Sequence, residues 1–308
     1  MIQGLLYLLA APLLAGWIKW LKARLQNRRG SSPLQPYRTL WKLAAKEALV
    51  PHTASPLFQT SPYIVFGATW LACMVVPLAL IPNPATAIAD VIVLAGLLAL
   101  GRFFLALAGM DAGTTFGGMG SSREMFISAL AEPALLMAVF TLAMTAHSTN
   151  LSSVVEHQLA AGLVLRPSYL FALMALVLVA IAETGRIPVD NPATHLELTM
   201  VHEAMILEYS GRHLALMEGA SQLKLMLYGV LLANIFLPWG IATHGNPAPL
   251  ALGLLAVAAK LALLGLVLAV AETVLAKMRL FRVPAFLNLA LLLALLGLLS
   301  HVALEVGA

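Results

Sequence analysis

"SYLFALMALVLVAIAETGRIPVD", residues 168–190, begins as a long uncharged apolar run and ends abruptly in Glu183, Arg186, Pro188 and Asp190. A continuous apolar run of this kind, without polar alternation, satisfies its own backbone in a bilayer only as a helix. Seven further runs approach the roughly 20 residues needed to cross the hydrocarbon layer. The eight expected spans are 2–21, 62–82, 90–109, 124–146, 168–187, 218–242, 249–276 and 284–304. The 308-residue chain is 61% hydrophobic and only 10% charged, far more apolar than a soluble core of this size. The expected fold is an all-α integral membrane protein: a single transmembrane domain over 1–308, about eight transmembrane helices, and interfacial amphipathic helices.

Prolines punctuate the joints between runs, where a residue lacking an N–H can stop or start a helix. Lys and Arg cluster after spans one, three, five and seven, while only Arg166 lies on the other side. The positive-inside rule then places both termini outside, with the acidic stretch after span five on the cytoplasmic side. The first run has no basic leader and no small-residue cleavage site, so it is expected to remain as a span. The net charge of +4 follows from this asymmetry and from contact with anionic lipid, so nucleic acid is not an expected partner. A single cysteine, Cys73, excludes an internal disulfide or a cysteine-ligated cluster, and no histidine pair lies at mid-membrane to hold a haem. No cofactor is expected on this chain.

Two loops stand out. Residues 22–61 form a cytoplasmic loop in which "YRTLWKLAAKEALV" (37–50) sets Leu40, Leu43, Ala44 and Leu49 on one helical face, as an interfacial helix would. Residues 183–217 form an acidic loop. Five of the chain's 14 carboxylates, Glu183, Asp190, Glu197, Glu203 and Glu208, fall inside it. Carboxylates crowded at membrane depth repel one another, which raises some of their proton affinities toward neutrality and makes proton exchange feasible. An acidic surface that docks a basic partner is the plainer reading of the same residues.

Charged groups inside spans are costly, about 2.5–3.5 kcal/mol each on insertion scales, and each needs a reason. Arg102 and Glu132 stand at similar depth on successive spans and could pair, either as a structural bridge or as a carboxylate tuned by an arginine. Pro133 is expected to kink the helix beside them. Lys260 lies near the middle of span seven, where a partner or hydrated path is expected. Lys224 and Glu272 are shallower, and interfacial anchoring is the plainer reading of both. "GTTFGGMG" (113–120) looks like a phosphate loop but lacks G-K-[ST] and reads as a flexible loop. "HEAMI" (202–206) begins like a zinc motif, yet Ile206 stands where the second histidine belongs.

"ARLQNRRG", "LQPYRTLWKLAAKE" and "AETGRIPVD", followed by "LEL" and "EYSG", resemble the membrane protein known in mitochondria as subunit 1 of complex I (NADH:quinone oxidoreductase) and its relatives in group 4 NiFe hydrogenases. "GRFFLALAGMDAGTTFGGMGSSRE", "AEPALL" and "LPWG" look more like the hydrogenase branch, such as the formate hydrogenlyase and hydrogenase-4 membrane subunits. The resemblance implies a subunit without a redox centre that anchors a soluble electron-transfer arm and links its reaction to proton or sodium translocation. Iron–sulfur clusters and the NiFe centre would sit in partner subunits, an iron–sulfur small subunit and a NiFe-type large subunit on the cytoplasmic side, with antiporter-like subunits in the membrane. It carries an ion-coupling role onto Glu132, Glu183, Arg186, Asp190, Glu197 and Glu208, to which Arg102, Glu203, Lys224, Lys260 and Glu272 are added as candidates. Arg28, Arg29, Arg38, Lys42, Lys46, Glu47, Asp111 and Arg123 are the candidates for partner docking or for a quinone-like cavity. Ala193, His195 and Thr39 depart from the quinone-reducing relatives. A quinone-site subunit, a stand-alone ion transporter and a passive anchor remain the alternatives.

Overall fold

The computed structural model describes residues 2–81, 90–161, 166–190, 200–242 and 247–306. Its helices are α1 (Ile2–Leu25), α2 (Gln35–Ala44), α3 (Pro56–Val75), α4 (Val91–Asp111), α5 (Thr115–Thr145) and α6 (Leu151–Ala161), then α7 (Pro167–Glu183), α8 (His202–Ile206), α9 (Gly211–Phe236), α10 (Pro247–Val274) and α11 (Val283–His301). Among the described residues, extended pairing is limited to two isolated bridges, Leu80 with Ala242 and Asp90 with Asn150. Side chains that take up the free N–H groups of the first turn fix several starts. Ser55 caps α3, Asp90 caps α4 and Thr114 caps α5, each accepting from a backbone N–H of the first turn.

Among the described residues, six helical segments are long and apolar enough to cross a membrane: α1, α4, α5, α9, Ala248–Val274 within α10, and Leu280–Leu304, which contains α11. The other two expected spans correspond to α3 and α7, which do not meet that measure, so six of the eight expected spans do. α3 opens with Gln59, Thr60 and Ser61 in its first turns. α7 has only 17 residues, about 25 Å of rise against a hydrocarbon layer of about 30 Å. It therefore stops at Glu183, short of the expected end at 187, and leaves its last carboxylate below the surface.

Other boundaries also moved. The stretch 113–120 is not a flexible loop: only Gly113 turns, at φ +70°, and α5 starts at Thr115. A Cβ on Gly117 would lie 2.0 Å from the Gly109 carbonyl oxygen, so glycine there is what lets α5 pass close to the end of α4. α5 starts nine residues before the expected 124 and continues as one helix through Pro133 to Thr145. The interfacial helix α2 ends at Ala44, before the expected limit at 50. α6 was not expected at all.

α9 is the axis of the bundle: 78% of its most apolar window is buried, against 22% for that of α10. It touches α1, α3, α7 and α10, while α11 packs between α5 and α7. Small residues set these approaches, as membrane bundles require when lipid offers no hydrophobic drive for association. Ala290, Ala294 and Gly297 of α11 are buried, and a Cβ on Gly297 would come within 3.2 Å of the Ser168 carbonyl oxygen of α7. The ends of α1, α4, α7 and α10 gather with the starts of α3, α5, α9 and α11 on one face, which also carries the exposed Arg28, Arg29, Arg38, Lys42, Lys46 and Glu47. This is the basic face of the protein.

Candidate functional site

Because α7 stops short, Glu183 meets α4, α5 and α9 inside the bundle. Its Oε1 accepts from Nη1 of Arg102 on α4, and its Oε2 lies 2.8 Å from Nζ of Lys224 on α9. Arg102 is only 4% exposed, and its second nitrogen, Nη2, lies 2.6 Å from Oε1 of Glu132 on α5. Glu132 also accepts from the Ser128 hydroxyl at 3.0 Å. The result is one line of four charges, Glu132, Arg102, Glu183 and Lys224, alternating in sign and summing to zero. Neutrality is what allows charges to persist at this depth, since an unpaired ion there costs several kcal/mol. Lys224, partly buried, is thus a partner of Glu183 rather than an interfacial anchor.

A cavity of about 70 Å³ lies against this line, bordered by Glu183, Arg102, Lys224, Glu124, His202 and Asp190. It has room for a few water molecules, and its polar walls offer them partners. Glu124 is a functional candidate that the sequence did not single out, and His202, weighed there only as a zinc ligand, is a second. Tyr228 is another: it follows Lys224 by one helical turn, is 1% exposed, and lies within electrostatic reach of Glu183, Arg102 and Glu132. Its hydroxyl and Nε of Arg102 are buried without a hydrogen-bond partner among the described residues.

A second set of bonds fastens the chain leaving α7. Arg186 Nη1 lies 3.0 Å from Oε1 of Glu272, whose Oε2 takes Lys22 Nζ at 3.0 Å. The Met278 amide donates to the Pro188 carbonyl at 2.9 Å, and Lys277 Nζ lies 2.8 Å from Oδ1 of Asp190. Glu272 is 6% exposed and joins α1, α10 and the acidic loop, so it too is a buried tie and not the anchor its depth implied. Residues 186–190 therefore form a strap between the buried carboxylate line and the end of α10.

The remaining candidates fall into four groups. Arg123 donates to the Met200 carbonyl at 2.7 Å, and Asp111 accepts from the Ser55 amide and hydroxyl at 2.9 Å, so both hold the protein's own loops. Glu203 lies beside His202 on α8, and Glu208 is half-buried before Tyr209, whose ring stacks on Phe58 at 4.0 Å. Glu197, with Ala193 and His195, lies outside the described residues. Lys260 is not brought to this line: its ammonium donates to the Leu237 carbonyl just beyond the last turn of α9, on the opposite face. A cation at the negative end of a helix dipole, taking up a free carbonyl, accounts for a lysine at that depth.

Beside α1, α2 and α9 a larger cavity of about 820 Å³ opens, with Leu8, Trp41, Phe66 and Leu216 on its walls and Arg38 and Arg212 among its polar groups. Of the eight candidates named for partner docking or a quinone-like cavity, Arg38 lines this cavity and the other seven do not.

The NADH dehydrogenase family model matches residues 1–302. The chain belongs to this family. Within it, the protein is 32% identical to formate hydrogenlyase subunit 4 of Escherichia coli (strain K12) over 284 residues, 92% of each chain. It is 33% identical to hydrogenase-4 component C of the same organism over 277 residues, 90% of this chain and 87% of the other. Its fold is that of a chain in the membrane-bound sulfane sulfur reductase, an archaeal respiratory membrane complex, with a TM-score of 0.80 at 21% identity over 97% of this chain and 98% of that one. The family resemblance carried by the loop and span motifs thus extends to nearly the whole chain, and this NADH dehydrogenase family member is an all-helical, multi-pass membrane protein.

Proposed function

We propose that the protein is the membrane-anchoring and coupling subunit of a multisubunit hydrogenase-type complex. Soluble iron–sulfur and NiFe subunits dock on the basic face, and their electron transfer drives proton or sodium movement through the membrane arm. The single observation that carries this reading is Glu183, a buried carboxylate at a helix end, shared between Arg102 and Lys224 and tied by its own chain to the docking face. A carboxylate that loses one of two cations holds a proton more readily, so a small shift of α7 against α4 or α9 changes its proton affinity. Residues 186–190 transmit such a shift, because Arg186 and Asp190 are fastened to Glu272 and Lys277. The cavity, with Glu124, His202 and Asp190 on its walls, offers protons a way from the line toward the acidic loop, where Glu203 and Glu208 would pass them on, and Glu132 is the half-exposed far end of the line.

The identity to hydrogenase-type membrane subunits supports the choice of redox partner. The test is the complex purified through a tag on this chain. Nickel and iron in the preparation, with hydrogen evolution from a reduced viologen, would support the assignment; a preparation without nickel that reduces a quinone would move it to the quinone reductases. The 820 Å³ cavity favours that second reading, since its apolar walls suit an isoprenoid tail. A quinone-site inhibitor that abolishes turnover would decide for it.

A further inference from the structure

On the face opposite the acidic loop, α9 ends at Phe236 while α10 continues past it, and the step leaves a cavity of about 510 Å³. Its outer walls are lipid-facing: Leu170 is 47% exposed, Leu263 60% and Val267 62%. Trp239, half exposed, stands at its rim. Polar groups enter from both sides. Gln158 of α6 donates to the Tyr169 hydroxyl of α7, which also meets Thr145 at 2.9 Å, and Lys260 of α10 brings its ammonium to the Leu237 carbonyl.

We infer that this groove is a binding site for one anionic phospholipid, with its phosphate on Lys260 and its acyl chains along Leu170, Leu263 and Val267. Lys260 spends one of its three donors on Leu237, so the others are available to a phosphate oxygen. Its position fits. Lys260 is 12 residues from Glu272, about 18 Å along the axis, so a hydrocarbon layer of about 30 Å leaves it some 12 Å below the far surface. The lysine stem points toward that surface, as its bond to the end of α9 shows, and closes part of the gap; a lipid seated in the recess closes the rest. Trp239 has the amphipathic ring that favours the headgroup boundary. A zwitterionic lipid would fill the apolar volume equally well, so the selectivity for negative charge comes from Lys260, for which the described residues provide no carboxylate partner. This site lies apart from the carboxylate line, and its failure would leave the coupling proposal untouched.

The test is native mass spectrometry of the detergent-purified complex after exchange with phosphatidylglycerol or phosphatidylcholine of identical acyl chains. The wild type should retain one phosphatidylglycerol per copy of this chain, with roughly fivefold preference over phosphatidylcholine. Lys260→Gln should abolish the preference and Lys260→Arg should keep it, which separates loss of charge from loss of the α9 cap. Leu263→Trp should exclude both lipids by filling the groove. Equal retention of the two lipids by the wild type, or an unchanged preference in Lys260→Gln, would overturn the inference. So would a photo-crosslinker at Leu263 that captures a polypeptide instead of lipid.

Discussion

Arg102 and Glu183 form an ion pair between α4 and α7 whose outer sides are taken by Glu132 and Lys224, so that each member of the pair holds two opposite charges. Neither can be removed without leaving a surplus charge where water is scarce.

The four members should therefore differ in what their loss costs. Arg102 is buried, and Arg102→Leu should destabilise the assembled complex by about 3–5 kcal/mol, the usual result of breaking a buried pair. Glu132 has a side chain that is 39% exposed, so Glu132→Gln should cost far less. Thermal unfolding of the two variants in lipid nanodiscs gives the ranking, and equal losses would show that the line is not organised around Arg102.

The strap behind Glu183 has its own signature. Asp190→Asn removes the charge held by Lys277, and Glu272→Gln removes the charge shared by Arg186 and Lys22. Each change weakens charge-assisted hydrogen bonds worth about 1.5–3 kcal/mol. Amide exchange of residues 184–190 should accelerate at least tenfold in either variant, while exchange in the centre of α9 should be unaffected.

The cavity should also respond to acid through His202. Burial lowers the proton affinity of its imidazole below the ordinary range, against the opposing pull of Glu203; Lys224 lowers it further, and Asp190 and Glu218 raise it. Folding thus favours the neutral ring. Its contribution is complete above the ordinary histidine value of about 6.5 and is lost progressively as pH falls below it, because the opened loop then binds the proton more readily. Exchange in residues 200–206, corrected for its intrinsic pH dependence, should rise between pH 6.5 and 5 in the wild type. His202→Gln should flatten that rise.

At the crossing of α4 and α5, Gly117→Val should cost about 1–3 kcal/mol of complex stability, since even the first carbon of a side chain meets the Gly109 carbonyl. Gly118→Ala, one residue on and facing open space, should be nearly neutral by the same unfolding measurement.

These relationships were unevenly legible in the sequence. The apolar runs announced the helices, because a bilayer admits little else, and the acidic loop and the quoted motifs pointed to the family. Depth along each helix could be counted, which is why Arg102 and Glu132 could be matched as a pair. Rotation about the helix axis could not. Lys224 and Glu272 therefore read as surface anchors, although each turns inward to an opposite charge. Glu183 looked like one acid among five, since nothing in "AIAETG" fixes the stop that leaves it below the surface. Tyr228, an aromatic in an apolar run, was indistinguishable from core until its hydroxyl was placed beside the charged line. The glycines of 113–120 signalled backbone freedom, whereas the fold uses Gly117 for close approach.

The central claim is that Glu183 couples redox chemistry to ion movement. Its most direct test is the ratio of ions moved to hydrogen produced by the purified complex in sealed liposomes, comparing the wild type with Glu183→Gln. Coupling through Glu183 predicts that the variant keeps most of its hydrogen evolution once the membrane is made leaky by an ionophore, but moves at least tenfold fewer ions per hydrogen in sealed vesicles. An unchanged ratio in a fully assembled variant would contradict it.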